Sequence, residues 1–451
     1  MKFYSHSTKE NDKIIGTKEI KDHLNQVLKL AIESLNKTSF SDLYSSSIED
    51  IIKYTCLFHD LGKYTSYFQD YLLKENDTGS LRYHSDISAI FAFNYLKYSN
   101  VFNNDKRSYF PFWVYYLIKH HHLSLKSLKD QNLFGNNPAG FKNNYQLKRN
   151  NLINNNDLIS DEFSIQNISN FLDLPLEEDI INRANWLKGR EKNIENYFYV
   201  LYCFSLLIEA DKLNASGTEV YLPKKIPVER LDKYLEGKNK TKKQINTDRN
   251  EVRALVCSEE NINKIIEKKG IYTLTAPTGI GKTLTSLNLA LELKKRLDEK
   301  GQNTQIIYCL PFINIIEQTS KEFEALFSDI TILKHHQYSD IFSKKEENEN
   351  TNSIENKLME LECWQGDLII TTFVQFLHTI IGNKNKLLKK FHHLSNSIII
   401  LDEVQAINIQ YWPLIGAVLH YLVKFLNSKI ILMTATKPLI IESTKKYLLQ
   451  N

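Results

Sequence analysis

Two groups of residues in this chain have types and spacings suited to phosphate chemistry. The first is Thr275-Ala-Pro-Thr-Gly-Ile-Gly-Lys-Thr283, answered far downstream by Leu401-Asp-Glu-Val-Gln405. A glycine-rich loop ending in Lys-Thr can turn its backbone N–H groups inward around a nucleoside triphosphate. The positive end of a following helix then stands behind the phosphates. Read this way, Ala276, Pro277, Thr278, Gly279, Ile280 and Gly281 form the cradle, Lys282 reaches the β- and γ-phosphates, and the Thr283 hydroxyl ligates Mg²⁺. Ala276 stands where the pattern has glycine. Asp402 is placed to hold Mg²⁺ through water, and Glu403 to polarise the attacking water.

The second group precedes residue 220. It comprises His23, the run His59-Asp60-Leu-Gly-Lys63, His84, the triplet His120-His121-His122, and Asp211. Mixed imidazole and carboxylate ligands suit borderline transition metals such as Mn, Fe, Co, Ni or Zn. A shared carboxylate, here Asp60, could bridge two such ions and activate a water for attack on a phosphodiester. Spacing alone does not separate this from histidines satisfied inside a helical core.

The elements that must position these residues follow from periodicity. An apolar strand at Gly270–Leu274 leads into the glycine loop, a periodic helix at Leu284–Leu297 leads out of it, and Ser397–Leu401 reads as a buried strand that delivers Asp402 and Glu403. Further β runs at Gln305–Leu310, Thr331–Lys334, Leu368–Thr372 and Lys429–Met433 alternate with helices, which predicts a doubly wound parallel sheet. The first half reads as helical. His23 falls in Ile20–Ala31, His84 ahead of Ile87–Leu96, the His triplet after Trp113–Ile118, and Asp211 at the end of Leu207–Asp211. Ile51–Leu73 reads as one helix, with His59 and Lys63 on one face at i and i+4. Asp130–Asp157 reads as a surface excursion, Lys344–Asn356 as a solvated loop, and Leu235–Arg249 as charged, core-poor linker.

With 451 residues, two or three domains are expected: an all-α domain over 1–228, a linker over 229–250 and an α/β domain over 251–451. Five cysteines without a C-x-x-C pair argue for a reducing cytoplasm and against a thiolate zinc site. The opening residues lack the apolar stretch of a signal peptide, and the longest apolar run, Tyr197–Ile208, is too short for a membrane span. The net charge of +4 permits nucleic-acid binding without arguing for it.

The order His23, His59-Asp60-Leu-Gly-Lys63, His84-Ser, His-His, Glu-Ala-Asp211-Lys-Leu-Asn-Ala-Ser resembles the HD nuclease domain of the helicase–nuclease of type I CRISPR systems. The second half is similar to that family's superfamily 2 (DEAD/DEAH-like) helicase. It carries the glycine loop, Tyr308-Cys-Leu-Pro311, Thr371-Thr372-Phe-Val-Gln375, Asp402-Glu403-Val-Gln405 and Thr434-Ala-Thr436. The resemblance implies an all-α HD-type metal-dependent nuclease followed by a RecA-like lobe, acting on single-stranded DNA in the degradation of invading DNA. A CRISPR surveillance (Cascade-type) complex would be the partner, with no membrane involved. It implies one metal on His23, His59, Asp60 and Asp211, and a second sharing Asp60 and taking His84 with two adjacent histidines. His121 and His122 are the favoured pair, because Leu125 then falls where the family often has an apolar residue. Leu123, however, stands where family members often have glycine. Lys63 would neutralise the phosphate in the transition state. Thr371, Thr372 and Gln375 would grip the DNA backbone, and Thr434-Ala-Thr436 would couple ATP state to DNA.

Only 15 residues follow Thr436, whereas a second RecA-like lobe takes on the order of 150. The expectation is that this chain ends after the first lobe. It would then bind ATP and Mg²⁺ yet hydrolyse slowly unless a separate second lobe supplies the finger arginine. Two competing readings are an HD-type nucleotide phosphohydrolase and a truncated DNA-binding partner without helicase activity of its own.

Overall fold

The computed structural model describes residues 2–11, 13–38, 40, 47–99, 101–102, 109–127, 137–173, 194–238, 244–335, 351–436, 439–442 and 444. Their contacts form two compact units. One takes the described residues within Met1–Leu35, Tyr44–Glu219 and Asn383–Lys389, the other those within Asn36–Leu43, Val220–Gly382 and Lys390–Asn451.

The first unit opens with an antiparallel ribbon, β1 (Tyr4–Glu10) and β2 (Lys13–Glu19), which sequence reading did not foresee. Its strands are mostly half-buried or exposed, so they lack the clean apolar alternation of a core strand. Gly16 in β2 is pressed against the Tyr4 ring, where a Cβ would come within 2.3 Å of Tyr4 Cγ. Helices follow: α1 (Ile20–Lys37), α2 (Ile48–Phe58), α3 (Ser66–Lys74), α4 (Ser85–Tyr98), α5 (Phe110–His120), α6 (Pro138–Ile153), α7 (Asn156–Phe163) and α8 (Ile194–Ser216). The core forms where α2, α4, α5 and α8 meet. Helix α8 is apolar nearly all round, with Tyr199, Tyr202, Phe204, Leu206 and Leu207 fully buried, as expected of a central helix. Helix α6 begins at Pro138, with the Asn137 side chain accepting from Gly140 N at 2.9 Å. The stretch read as a surface excursion is therefore largely helical from Pro138 to Ile153, with Tyr145 and Leu152 buried; its residues 130–136 lie outside the described set.

The expected single helix Ile51–Leu73 is in fact three pieces. Helix α2 stops at Phe58, a 3₁₀ turn covers Leu61–Tyr64, and α3 starts at Ser66, where Thr65 caps it by accepting from Phe68 N. His59 and Lys63 are thus not stacked on one helix face. The break is fixed by Gly62, whose N–H donates to Ser88 Oγ at 2.8 Å. A Cβ on Gly62 would stand 2.6 Å from the His84 carbonyl oxygen and 2.6 Å from Ile87 Cγ2. The chain can approach the start of α4 this closely only without a side chain.

The second unit is built on a parallel six-stranded sheet of order β3-β8-β7-β4-β6-β5. The strands are β3 (Ile271–Thr275), β4 (Ile306–Leu310), β5 (Ile332–Lys334), β6 (Leu368–Thr372), β7 (Ile398–Leu401) and β8 (Lys429–Thr434). These fall close to the runs expected from sequence. Strands β4, β7 and β8 are buried at every residue, because helices cover both faces and neither alternate set of side chains meets water. The helices are α9 (Glu229–Lys238), α10 (Gln244–Val256), α11 (Glu259–Glu267), α12 (Lys282–Glu299), α13 (Ile313–Leu326), α14 (Thr351–Glu362), α15 (Phe373–Ile381) and α16 (Trp412–Leu426). Helices α9 and α10 run through the stretch read as a linker, whose residues 239–243 lie outside the described set. The chain already joins this unit upstream of α9. Tyr221 Oη donates to Asp367 Oδ2 at 2.8 Å, and Ile226, Val228 and Leu231 are buried in the sheet unit's core. The expected loop Lys344–Asn356 falls outside the described residues up to Asn350 and is helical from Thr351.

Replacing Gly62 by alanine should destabilise the first unit by about 1–3 kcal/mol, the usual cost of overpacking a filled position. A urea melt of Gly62→Ala that overlays the parent would show that the 3₁₀ turn can step back from α4 without cost.

Candidate functional site

The first cluster is assembled at element ends. His59 and Asp60 sit at the end of α2, where His59 N still bonds to Thr55 O and Asp60 has already left helical geometry (φ −110°, ψ 11°). His23 comes from the first turns of α1, His84 from the residue just before α4, His121 and His122 from just beyond α5, and Asp211 from late in α8. Two groups result, each with ligand atoms within 4.8 Å of one another: His23, His59, Asp60 and Asp211; and Asp60, His84, His121 and His122. All seven residues singled out from sequence as metal ligands are brought together. Of the histidine triplet, the structure brings His121 and His122 into the second group. His120 is the last residue of α5, turns its Nδ1 to Tyr116 O at 3.0 Å and packs on the Tyr116 ring, and so belongs to neither group.

Asp60 is common to both groups, and its two oxygens face different partners. Oδ2 lies 3.1 Å from His23 Nε2, 3.4 Å from His59 Nε2 and 2.7 Å from Lys63 Nζ. Oδ1 lies 2.9 Å from His84 Nε2 and 3.4 Å from His121 Nε2. Asp211 Oδ1 stands 3.6 Å from His23 Nε2 and 3.9 Å from His59 Nε2, and His122 Nε2 is 3.0 Å from His84 Nε2.

Ring protonation follows from the partners of the other nitrogens. His59 Nδ1 is 2.8 Å from Cys56 O and His121 Nδ1 is 2.6 Å from Ile118 O; a carbonyl only accepts, so both rings carry their proton on Nδ1. His23 Nδ1 is 2.6 Å from Asn214 Oδ1, and Lys18 Nζ approaches the same oxygen at 3.0 Å while Asn214 Nδ2 donates to Gln26 Oε1. The amide is therefore oriented with its oxygen toward His23. In the neutral form, each of these three rings presents its Nε2 lone pair to a buried carboxylate that also only accepts. His23 Nε2, His59 Nε2, His121 Nε2 and Asp60 Oδ1 are buried without a hydrogen-bond partner, and Asp60 Oδ2 has the Lys63 ammonium at 2.7 Å. Converging acceptors of this kind suit cations between them, so the residues fit a pair of transition-metal ions.

Electrostatics agree. Burial pushes His59 and His84 down to about 4, which keeps their rings neutral and able to ligate. Burial works against charge on Asp60 as well, yet His59, Lys63 and His84 around it hold its carboxyl well below the ordinary value. Sequence reading missed two nearby residues. Asn214 orients His23, and His6 on β1 places its ring centroid 5.0 Å from that of His23, with Ser5 Oγ on its Nδ1. His6 went unnoticed because its strand did.

The second cluster lies at the carboxyl end of the parallel sheet. The loop after β3 turns through Gly279 and Gly281 at φ of +83° and +84°, conformations that favour glycine, and releases α12 at Lys282. Lys282 Nζ donates to Ala276 O at 3.0 Å and lies 3.8 Å from Glu403 Oε1. Asp402, directly after β7, receives the Tyr308 hydroxyl on Oδ2 at 3.0 Å, while its Oδ1 is buried without a partner. One carboxylate oxygen is thus fixed and the other is unpaired. Thr434 ends β8 next to the loop, its carbonyl accepting from Ala276 N at 3.3 Å.

The Thr371 and Thr372 hydroxyls both have partners within the chain. Thr371 is buried with Oγ1 3.3 Å from His335 Nδ1, and Thr372 Oγ1 caps α15 by accepting from Gln375 N. Gln375 is half-buried.

Residues 237–443 match the DEAD/DEAH box helicase family. A CRISPR-associated nuclease/helicase Cas3 of Haloferax volcanii is 29% identical over 272 residues, covering 55% of this chain and 29% of that protein. Among solved structures, Cas3 of T. fusca with ATP superposes with a TM-score of 0.59 at 18% identity, over 100% of this chain and 52% of that one. A structure titled "CRISPR RNA-guided surveillance complex, pre-nicking" contains a chain that superposes at 0.51 and 16% identity, over 100% of this chain and 49% of its own length. The chain thus spans about half the length of these solved relatives and less than a third of the curated one.

Metal-free protein should take up two Mn²⁺ or Co²⁺ ions per chain by calorimetry. Asp60→Ala should abolish both sites, and His121→Ala only one. In the metal-free state, the unfolded chain accepts protons on His59 and His84 near their ordinary 6.5, whereas the folded sites wait until about 4. Stability should therefore fall as pH drops from 6.5 to 4. Asp60 adds a further loss in more acid solution, because its folded carboxyl titrates below its unfolded value. Urea midpoints at pH 8 and pH 5 test the sign.

Proposed function

We propose that this chain, a relative of the CRISPR-associated helicase–nucleases, joins a two-metal phosphodiesterase centre for single-stranded DNA to an ATP-binding helicase lobe, and serves in the degradation of invading DNA. The observation that carries this reading is the shared, buried carboxylate of Asp60, whose two oxygens each face a separate set of ring nitrogens. Bound at the two groups, transition-metal ions would lower the pKa of a water and polarise the phosphate.

The chain's own residues have distinct tasks around that chemistry. Asp60, His23, His59 and Asp211 would hold one ion, and Asp60, His84, His121 and His122 the other. Cys56 O, Ile118 O and Asn214 lock ring orientation. Lys63, bonded to Asp60 and largely buried, is the fixed positive charge nearest the site of attack and offsets charge building on the phosphate. Nothing in this set reads a base, so cleavage would be insensitive to sequence.

In the second unit, the glycine loop with Lys282 and Thr283 would cradle the phosphates of ATP. Asp402, steadied by Tyr308, would hold Mg²⁺, and Glu403 would polarise water. A surveillance complex would deliver the DNA, in the cytoplasm. Among the described residues no helix is long and apolar enough to cross a membrane.

The test is cleavage of a labelled single-stranded DNA by the purified chain with Mn²⁺, Co²⁺ or Ni²⁺. Asp60→Ala should reduce it to background. Lys63→Ala should keep both metals and lose about 10²-fold in kcat, the scale of one transition-state donor. Brisk turnover of nucleotides with no cut DNA would favour a phosphohydrolase instead. Lys282→Ala should abolish binding of a fluorescent ATP analogue and leave cleavage of DNA that is already single-stranded unchanged. If that variant lost cleavage, nuclease and nucleotide site would be coupled.

A further inference from the structure

Arg249 belongs to a stretch whose charge made it read as linker, yet its side chain lies on the phosphate loop. It projects from α10, and its Nε and Nη2 both donate to the Gly279 carbonyl oxygen, at 3.1 and 2.7 Å. Its third nitrogen, Nη1, reaches Asn246 Oδ1 at 3.4 Å on the same helix. The aliphatic stem runs alongside Gly281, where a Cβ would stand 3.7 Å from Arg249 Cγ and 3.8 Å from Cδ. Helix α10 packs on α12, the helix that the loop releases, and Cys257 just beyond α10 sets its Sγ 4.0 Å from Thr285 O. The arginine and the loop it holds therefore share one support.

A peptide unit is planar and trans, so the carbonyl of Gly279 and the N–H of Ile280 point in opposite directions. Holding the oxygen on the Arg249 side turns the Ile280 N–H to the other side. Gly279 itself resists rotation of this peptide very little: at φ +83° it has no neighbour within 4 Å of its Cβ position, and glycine is free on both sides of φ zero. Something outside the loop must supply the preference, and a two-pronged, permanently charged donor does so.

We propose that Arg249 is a positioning residue for the phosphate loop. By gripping the Gly279 carbonyl it keeps the Ile280 N–H aimed at the phosphates of a nucleotide, and so makes the loop an anion cradle before the ligand arrives. The proposal rests on the reading of this loop as the ATP site and adds a residue to it. A lysine could supply the charge but not the fork, and a methionine could supply the stem but neither.

The experiment measures binding of Mg-ATP and of Mg-tripolyphosphate, which lacks base and sugar, to the full chain by calorimetry. Arg249→Met should weaken both ligands by about tenfold, the scale of a lost charge-assisted hydrogen bond. Its melting midpoint without ligand should stay close to the parent's, and Arg249→Lys should recover part of the loss. Unchanged affinity for both ligands in a folded Arg249→Met would overturn the proposal. A loss for ATP with none for tripolyphosphate would overturn it too, by moving Arg249 to the base or sugar. If the parent chain binds neither ligand, the nucleotide reading falls and takes this proposal with it. If the parent binds both and only Lys282→Ala abolishes binding, the reading stands and Arg249 alone is rejected.

Discussion

The arrangement around Asp60 is a confrontation of acceptors. Ring nitrogens of His23, His59 and His121, each with its Nδ1 engaged elsewhere, face a buried carboxylate with no protons to give. Burying even one ion costs several kcal/mol unless it is paired. Asp60 and Asp211 bring two negative charges, and Lys63 is the one lysine in direct contact with Asp60, on Oδ2 alone. Lys212 Nζ lies 3.7 Å from Asp211 Oδ2, so each carboxylate has one lysine beside it, while Asp60 Oδ1 faces only imidazoles. Much of the helical unit can be understood as what is needed to hold that arrangement. The early stop of α2, the bare Gly62 against the His84 backbone, the Asn214 amide behind His23 and the carbonyls behind His59 and His121 each remove a freedom the side chains would use to turn apart.

A weaker version of the same device recurs at Asp402. Tyr308 donates to one oxygen, and the other is left buried and unpaired. Burial raises the Asp402 carboxyl above its ordinary value, with Tyr308 and Lys282 pulling the other way. Lys282 itself is parked on the Ala276 carbonyl, a neutral partner that a phosphate would outcompete, since charge-assisted bonds are roughly twice as strong. Its pairing with Glu403 at 3.8 Å is too long to hold it.

How much of this was legible in the sequence depended on whether the signal was local. Ile398-Ile-Ile-Leu401 could only be a strand covered on both faces, and the glycine loop between strand and helix announced itself. The break after Phe58 was hidden, because apolar periodicity continues through Leu61, Tyr64 and Phe68, all of them buried. What interrupts the helix is a contact 22 residues away, between Gly62 and His84, and no local pattern carries it. The histidine triplet was ambiguous for a related reason. Which two rings turn inward is decided by where α5 ends and by the Tyr116 carbonyl that His120 takes. Asn214, Tyr308, His6 and Arg249 act on groups far away in sequence, and each looks ordinary in its own segment. Thr371 shows the reverse case. A motif match names a position but not the direction of its side chain, and the Thr371 hydroxyl is buried against His335.

The two clusters attract opposite partners, and this follows from composition alone. Around Asp60 the groups on offer are lone pairs and carboxylates, with Lys63 and, beside Asp211, Lys212 as the positive charges a phosphate could approach directly. Every other favourable contact with an anion would have to pass through a bound cation. Around Gly279 to Thr283 the groups on offer are backbone N–H donors, a helix N-terminus and an ammonium, so an anion is welcome without help. There the cation is the guest that needs arranging, and Asp402 has one unpaired oxygen to offer it. A loop that binds by backbone donors is only as good as the orientation of its peptides, and glycines leave that orientation loose. Histidine cages solve the equivalent problem with hydrogen bonds behind each ring. In the loop, the comparable hold from behind is the Arg249 guanidinium on the Gly279 carbonyl.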